Sequence, residues 1–556
     1  MSLTIRYLDC PQGAQENAVV TTGTAQPFAD PQSIAAGGSG VAYATLEPGI
    51  WTLDGTRSLL PDAPAGVGWW SDALSGADGR FDDPPAITLS LSAPYTATGL
   101  TFTFWPSTGQ YCAEVYLEWY NGTTLLAQTT CYPTGPQFTL PYLADGFDRI
   151  RIELRATAAP YQFAKLQQLQ IGQLVIFAQD ELVQATLVNE IDPMLSDLTV
   201  DALAVTVRDR RNRTLLPQEN QRMELYRDDR LLAVHYITDS SRQSGSVYTF
   251  SCQSVIGLLE DEYLGGIYNA VPVETLLDDI LDGRAWQLDA AFAGQPVTGY
   301  LPVCTRREAL QQLSFALGAA VSTQGTDAIV LAPLPEAVGA TFAAGSIFPG
   351  AKIESRQRVA RIDLTAHRYT PSTAMDTLID GEEITGTGLL ITFDQPHHSY
   401  AITGGTITAS GANWVTITAD GPVTLTGLGY LHAAAVYTRR NATATAAERS
   451  NVLTVDGATL VHDGNAAAVM DRLYATAQLR QTLTQDAVIA DQRAGQRAAS
   501  INPWGRKTQG YITAMHSTFT RTGHTASVTI LGVEVAASGV HNYAGELYAG
   551  DREVLY

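Results

Sequence analysis

The chain has 556 residues, 45% of them apolar and 16% charged. At about 100 to 200 residues per domain, that length excludes a single core and predicts roughly three to five domains. Asp and Glu number 56 against 34 Lys and Arg, a formal charge of -22; this opposes contact with phosphate backbones and anionic membranes and excludes a conventional nucleic-acid reader.

Glycine (48) and proline (26) occur along the whole length, and most apolar runs are short and alternating, which predicts a mainly β, multidomain chain with a few helices. Residues 1–65 hold one alternating strand, LTIRYL, a Gly/Ala/Pro-rich stretch through SIAAGGSG and a second candidate strand ending in GIWTLDG. They read as an N-terminal arm. Residues 66–178 carry the period-two segments AITLSLSAPY, GLTFTFWP, AEVYLEWYNGTTLLAQTTC, FDRIRIELRATA and LQQLQIGQLVIF, enough for one jelly-roll sandwich. Asn121-Gly122 predicts a two-residue hairpin turn inside it, because these residues tolerate positive φ.

Residues 179–255 contain five strands, with an Asp-Asp turn between MELYR and RLLAV, and predict a small β-barrel. Over 256–340 the period changes. Pro272 opens PVETLLDDILDG, with Gly283 after its last turn. Thr305 to Glu308 forms a capping box before a helix in which Leu310, Leu313 and Leu317 recur at helical spacing and which Gly318 ends. Residues 341–455 return to strands (ARIDLTAHRY, LLITFDQP, WVTITADG, PVTLTGLGYLHAAAVYTRR). Residues 456–556 supply an alanine-rich helix near 465–481 and closing strands, GYITAMHSTFT and ASVTILG, that complete a second barrel.

No GxSxG, HExxH, P-loop or GxGxxG stands in a strand-turn-helix context, so no enzyme is expected. His397-His398 is the only histidine pair, and neighbours on a strand point to opposite faces, which argues against a shared metal. Glu114 and Glu118, four residues apart on one strand, would stand about 13 Å apart, too far to act on one glycosidic bond. Five scattered cysteines without CxxC spacing indicate neither a disulfide framework nor a zinc site, and Cys112 and Cys131 are expected as free buried thiols. The start MSLTIRYLDCPQG lacks a basic n-region and an apolar run, and no stretch of 18 apolar residues occurs; neither a secretory signal nor a membrane-spanning segment is expected.

From VNEIDPMLSDLTVDALAVTVRDRR through MELYRDDRLLAVHYITD, FSCQSVIGLLEDEYLGGIYN and TRREALQQLSFALGAAV to GRKTQGYITAMHSTFTRTGHTASVTILG, the order of elements resembles the hub, or tail-tip, protein of bacteriophage tails and related injection systems. The resemblance implies two small barrels per subunit and a homotrimer that adapts a sixfold tail tube to a threefold tip. It also implies tail tube, distal tail protein and fibres as partners, a place in the virion tail tip or baseplate, and assembly in the host cytoplasm.

The segment GWWSDALSGADGRFDDPPAITLSLSAPYTATGLTFTF, with EVYLEWYNG and FDRIRIEL, resembles discoidin-like, galactose-binding-like jelly rolls used as carbohydrate-binding modules. Ligands of that family bind loops at one end of the sandwich, here implying a host cell-wall glycan held by Trp69, Trp70, Trp105, Tyr111 and Tyr161. Trp69 and Trp70 also read as core, as does Trp119 inside its alternating strand; for Trp105 and Tyr111, flanking the turn PSTGQ, exposure and burial both stand open. Asp78, Asp82 and Asp83 offer carboxylates in a turn where the same family often holds a structural calcium, though a solvated acidic turn is the simpler reading. No other cofactor is implied. A free glycan-binding protein, or a component of a glycan-degrading system, is the alternative function.

Overall fold

The computed structural model describes residues 2–535 apart from 12, 16, 39–43, 52–53, 56–66, 212, 214, 244, 502–506 and 521–522. The chain is mainly β, with strands gathered into several sheets and four short helices.

A thirteen-stranded sheet organises the molecule. Its first seven strands run in the order Gln173–Ala178, Leu3–Asp9, Arg222–Arg227, Arg230–Arg242, Val247–Gln253, Ala202–Arg208 and Leu182–Glu190. They bury Ile5, Val205, Leu225 and Phe250 in one core. The other six, Lys507–Phe519, His524–Val535, Gln481–Val488, Lys352–Ser355, Arg497–Ile501 and Ala340–Phe342, enclose Phe342, Leu483, Ile512 and Ile530. The two lobes join edge to edge, because Ala185 through Glu190 pair antiparallel with Phe519 through Ala514.

That joint corrects the expectation of two barrels. To close the first lobe on itself, Leu182–Glu190 would have to meet Gln173–Ala178; it pairs instead with the second lobe, and the path stays open among the described residues. Asp228 (φ 50°) and Asp229 (φ 62°) form the two-residue turn that the Asp-Asp pair predicts, with Arg227 facing Arg230 across it. Two left-handed central residues match the twist of the flanking strands.

The N-terminal segment is not an arm. Leu3–Asp9 alternates inward and outward and sits between Gln173–Ala178 and Arg222–Arg227, so its Leu3, Ile5 and Tyr7 are core. Val19–Thr22 pairs with Thr22-facing Ile87 through Ser90 and so belongs to the sandwich. The sandwich is therefore an insertion of about residues 10–172 between two adjacent strands of the first lobe. Its strands Ala86–Thr103 and Gln137–Thr157 are long and bent. Each contributes to both layers, with register shifts between Ser90 and Gly99 marking the bend. Segments that alternate separately in the sequence are halves of these single strands.

Gly172 ends the insertion. It takes φ 118°, and a Cβ there would lie 2.1 Å from the Asp9 carbonyl oxygen, so only glycine fits. A buried polar network locks the same joint: the Asp9 carboxylate accepts from Tyr7 Oη (2.8 Å), Thr98 Oγ1 (2.7 Å) and the Leu216 amide (3.2 Å). Gln221 Nε2 donates to the Cys10 carbonyl (2.7 Å).

The capping box is present, with Glu308 N donating to Thr305 Oγ1 (3.2 Å), Thr305 N donating to Glu308 Oε2 (2.9 Å) and Gly318 left-handed after the helix Arg306–Leu317. The helix after Pro272 spans Val273–Leu281, and the alanine-rich one Ala466–Ala477.

The stretch 341–455 divides. Ala340–Phe342 and Lys352–Ser355 join the second lobe, whereas Arg361–Thr392, His397–Ser410, Trp414–Arg440 and Val452–Val455 make a separate four-stranded ribbon. Two of its strands reach 32 and 27 residues. Ribbon glycines that punctuate the sequence act as irregularities inside continuous strands rather than as turns; Gly381 and Gly386 lie at register shifts. The closing residues 536–556 lie outside the described residues.

Candidate functional site: the loop end of the inserted sandwich

Strand register places the sandwich loops at the end away from the hub sheet. Gln168–Ile171 starts beside Thr103 and finishes beside Leu100, next to Gly172 and the joint. The loops around 75–80, 106–111, 132–136 and 158–162 thus gather at the far end. Thr157 N donates to the Gly79 carbonyl (2.8 Å), Ala158 N to that of Tyr111 (3.0 Å) and Tyr161 N to that of Gly76 (3.4 Å).

The tryptophans are not on that surface. Trp69, Trp70 and Trp105 are 0%, 1% and 1% exposed, which removes them as sugar-stacking platforms. Trp105 N donates to the Gln110 carbonyl (3.1 Å), folding the PSTGQ turn back so that the indole drops inward. It meets Trp70 edge-on at 5.2 Å, with Phe28 and Phe163 around the same cluster. Trp69 packs in the main sandwich core and donates its Nε1 hydrogen to Thr22 Oγ1 (3.2 Å). Trp119 is core, as its alternation predicts. Tyr111 is half-buried against the sandwich core. Of the five rings the sequence singles out, Tyr161 alone is exposed, at 48%.

Under the tryptophans lies a buried ion pair. Lys165 Nζ donates to Glu47 Oε2 (2.5 Å) and Gln110 Oε1 (2.8 Å) and stands 4.2 Å from the Trp70 ring. Glu47 also accepts from Phe163 N (2.9 Å) and Gln110 Nε2 (2.8 Å). Burial pulls the Lys165 ammonium below its ordinary pKa, and Glu47 beside it acts in the other direction. The Trp70-Trp105 pair thus covers a structural charge pair.

What the loop end does present is Tyr132, 64% exposed, and Tyr161, together with Arg80, whose guanidinium pairs with Glu114. Neither Arg80 nor Tyr132 stands out in the sequence. The signal available was position: Arg80 sits inside the acidic turn, and Tyr132 follows the last strand residue, Cys131, directly before Pro133. Glu114 and Glu118 are ion-paired strand residues, to Arg80 and to Arg151 (3.0 Å), rather than solvated ones.

The calcium set does not assemble. Asp78, Asp82 and Asp83 are exposed, Asp78 Oδ1 accepts from the Arg80 amide (3.0 Å) in a local turn, and no group of three or more His, Cys, Asp or Glu able to hold a metal occurs among the described residues. Cys112 and Cys131 are free and buried, and burial pushes the Cys131 thiol up to about 12. No described helix is long and apolar enough to cross a membrane.

No family model matches the chain, and no curated protein does. Among solved structures, a 43 kDa tail protein of prophage MuSo2 from Shewanella oneidensis is similar at 10% identity and a TM-score of 0.41, over 65% of this chain and 96% of that one. A tail protein from Neisseria meningitidis MC58 follows at 12% and 0.39, over 64% and 93%. A family 32 carbohydrate-binding module from C. perfringens NanJ, solved with galactose, is similar at 12% and 0.21, over 30% of this chain and 98% of that one. At these values the likeness concerns the course of the chain, and the side chains are read from this structure alone.

Proposed function

We propose that the chain is a non-enzymatic structural subunit of a phage-type tail tip or baseplate hub, assembled as a homotrimer, whose inserted sandwich binds a host-surface glycan. The observation that carries the reading is the edge-to-edge joining of two lobes into one open sheet. Its path ends at Gln173–Ala178 on one side and Lys352–Ser355 on the other, each with one strand neighbour among the described residues. Two different edges favour a head-to-tail contact, which closes into a ring of three when successive copies are turned by a third of a revolution. Three copies then present six lobes, matching a sixfold tube on a threefold tip. The acidic charge fits a conduit through which DNA slides without sticking.

The glycan part rests on the loop end, where Tyr132 and Tyr161 offer exposed rings and the half-exposed Arg80 guanidinium, paired with Glu114, offers donors. Each site would be weak, and three copies would raise avidity by roughly 100-fold where spacing permits.

Sedimentation of the full chain is expected to give a trimer, alone or with tail-tube protein; monomer at high concentration under both conditions overturns the hub. In the same preparation, Tyr132→Ala with Tyr161→Ala is expected to abolish retention on isolated host wall glycans with an unchanged Tm. Unchanged retention removes this loop end as the glycan site.

A further inference from the structure

A cleft outside the sandwich offers a second site. It lies where the ribbon meets the helical region and encloses about 840 Å³, within the range of small-ligand pockets. Asn413, fully buried, fastens its two walls by donating from Nδ2 to the carbonyls of Leu264 and Leu301 (2.9 Å each). The cleft is therefore built before any ligand arrives.

One wall is aromatic. His398, Tyr400, Trp414 and Tyr430 line it, with His398 edge-on to Tyr430 at 5.0 Å. This wall depends on an irregularity of the kind that re-aims side chains at functional sites. Strand register shifts between His398 and Ala401, and Ser399 takes φ 52°, a left-handed conformation rare for a residue other than glycine. The shift separates the histidine pair. His397 turns its Nε2 to Asp376 Oδ2 (3.2 Å), whereas His398 holds Ser399 Oγ through Nδ1 (3.0 Å) and has a buried Nε2 with no partner.

The facing wall carries the charges Glu262, Asp279 and Arg306. The two terminal nitrogens of Arg306 are engaged: they donate to the carbonyls of Asp279 (2.7 Å) and Ile280 (2.8 Å) and to Asp282 Oδ2 (3.2 Å), while its Nε is buried without a partner. Asp279 Oδ2 accepts from Tyr263 Oη (2.6 Å), leaving its remaining capacity and the exposed Glu262 carboxylate as acceptors. With Arg306 engaged, the free groups of this wall are carboxylates, which disfavours a polyanion. A neutral molecule with one C-H face for the rings and hydroxyl donors for the carboxylates meets both walls.

From this geometry we infer a second ligand site for a neutral oligosaccharide in the cleft between the ribbon and the helical region, independent of the sandwich loops. Sugar C-H groups stack on Trp414 and Tyr430, and hydroxyls donate to Glu262 and Asp279.

The test is saturation-transfer NMR and calorimetric titration of the full chain with chitotetraose, cellotetraose and maltotetraose. At least one is expected to bind, and Trp414→Ala to weaken that binding by about tenfold or more. Glu262→Gln, an exposed position, is expected to weaken it severalfold with an unchanged Tm, which keeps the test valid if the tryptophan variant misfolds. The Tyr132→Ala, Tyr161→Ala double variant is expected to leave it unchanged, separating this site from the sandwich. Absence of binding by all three sugars up to about 10 mM, or binding untouched by Glu262→Gln, overturns the inference. Binding of tetra-arginine in place of sugar, lost in the same variants, overturns the ligand class.

Discussion

The inserted sandwich and the long ribbon are both β excursions from one hub sheet, yet they are stabilised in different ways. The sandwich closes around its own core, with Trp69, Phe102, Phe104, Trp119 and Phe147 fully buried between its layers. It joins the hub where Gly172 passes the Asp9 carbonyl and Asp9 gathers its donors. The ribbon has a thin core of Ile379, Val415, Ile417, Ala419, Val423 and Leu425 and leaves Met375, Leu431 and Val436 more than 60% exposed. A unit with its own core unfolds as a unit, while a ribbon held by ladder hydrogen bonds opens locally. The first can be a module; the second draws its order from what it packs against.

The largest expected effect breaks the sandwich alone. Lys165→Met strands the Glu47 carboxylate, whose side chain is 0% exposed, without its countercharge. Removing one partner of a buried pair costs about 3 to 5 kcal/mol. Calorimetry is expected to show a separate sandwich transition at lower temperature while the hub transition holds. Lys165→Met with Glu47→Gln is expected to recover most of the loss, since no buried charge then remains. A single shared transition that falls as a whole would show that the sandwich is not an independent unit.

How much of this was legible in the sequence depends on whether the cause is local. The capping box at Thr305 and Glu308 and the Asp228-Asp229 turn are decided by side-chain and backbone chemistry within four residues, and both are where the sequence places them. The hairpin after Trp119 was legible to within one residue. Asn121 pairs with Thr124, so the turn is Gly122-Thr123, with positive φ at its first central residue only, a pattern that needs glycine first. Glycine itself was ambiguous: the same residue type ends the insertion at Gly172 and merely kinks a continuous strand at Gly381. What could not be read is non-local. Leu3–Asp9 looks like an arm until Gln173–Ala178 and Arg222–Arg227 are seen to flank it. Trp105 looks like a loop aromatic until Val67 and Phe28 are seen to cover it. Period-two alternation states which face is buried, but not by what.

A smaller effect, confined to the ribbon, comes from acid. The insertion, about residues 10–172, contains no histidine, whereas the ribbon carries His367, His397, His398 and His432. His367 is buried, and its Nδ1 lies 3.0 Å from His432 Nε2, with the rings stacked at 5.2 Å. One hydrogen serves that contact, so a second proton sets two N-H groups against each other. Burial, then the neighbouring His432, lowers the His367 pKa below the ordinary imidazole value, with Asp456 acting in the opposite direction. A group depressed in the folded state contributes stability that is fully present above its unfolded pKa, about 6.5. That contribution is lost as pH falls from there toward the lowered folded value. Amide exchange, corrected for its intrinsic pH dependence, is therefore expected to quicken severalfold at 361–370 and 430–440 on going from pH 7 to pH 5, and to stay constant in the sandwich. Equal quickening in both regions would mean that the sandwich is coupled to the ribbon through the hub sheet, and that the joint at Asp9 and Gly172 transmits stability rather than isolating it.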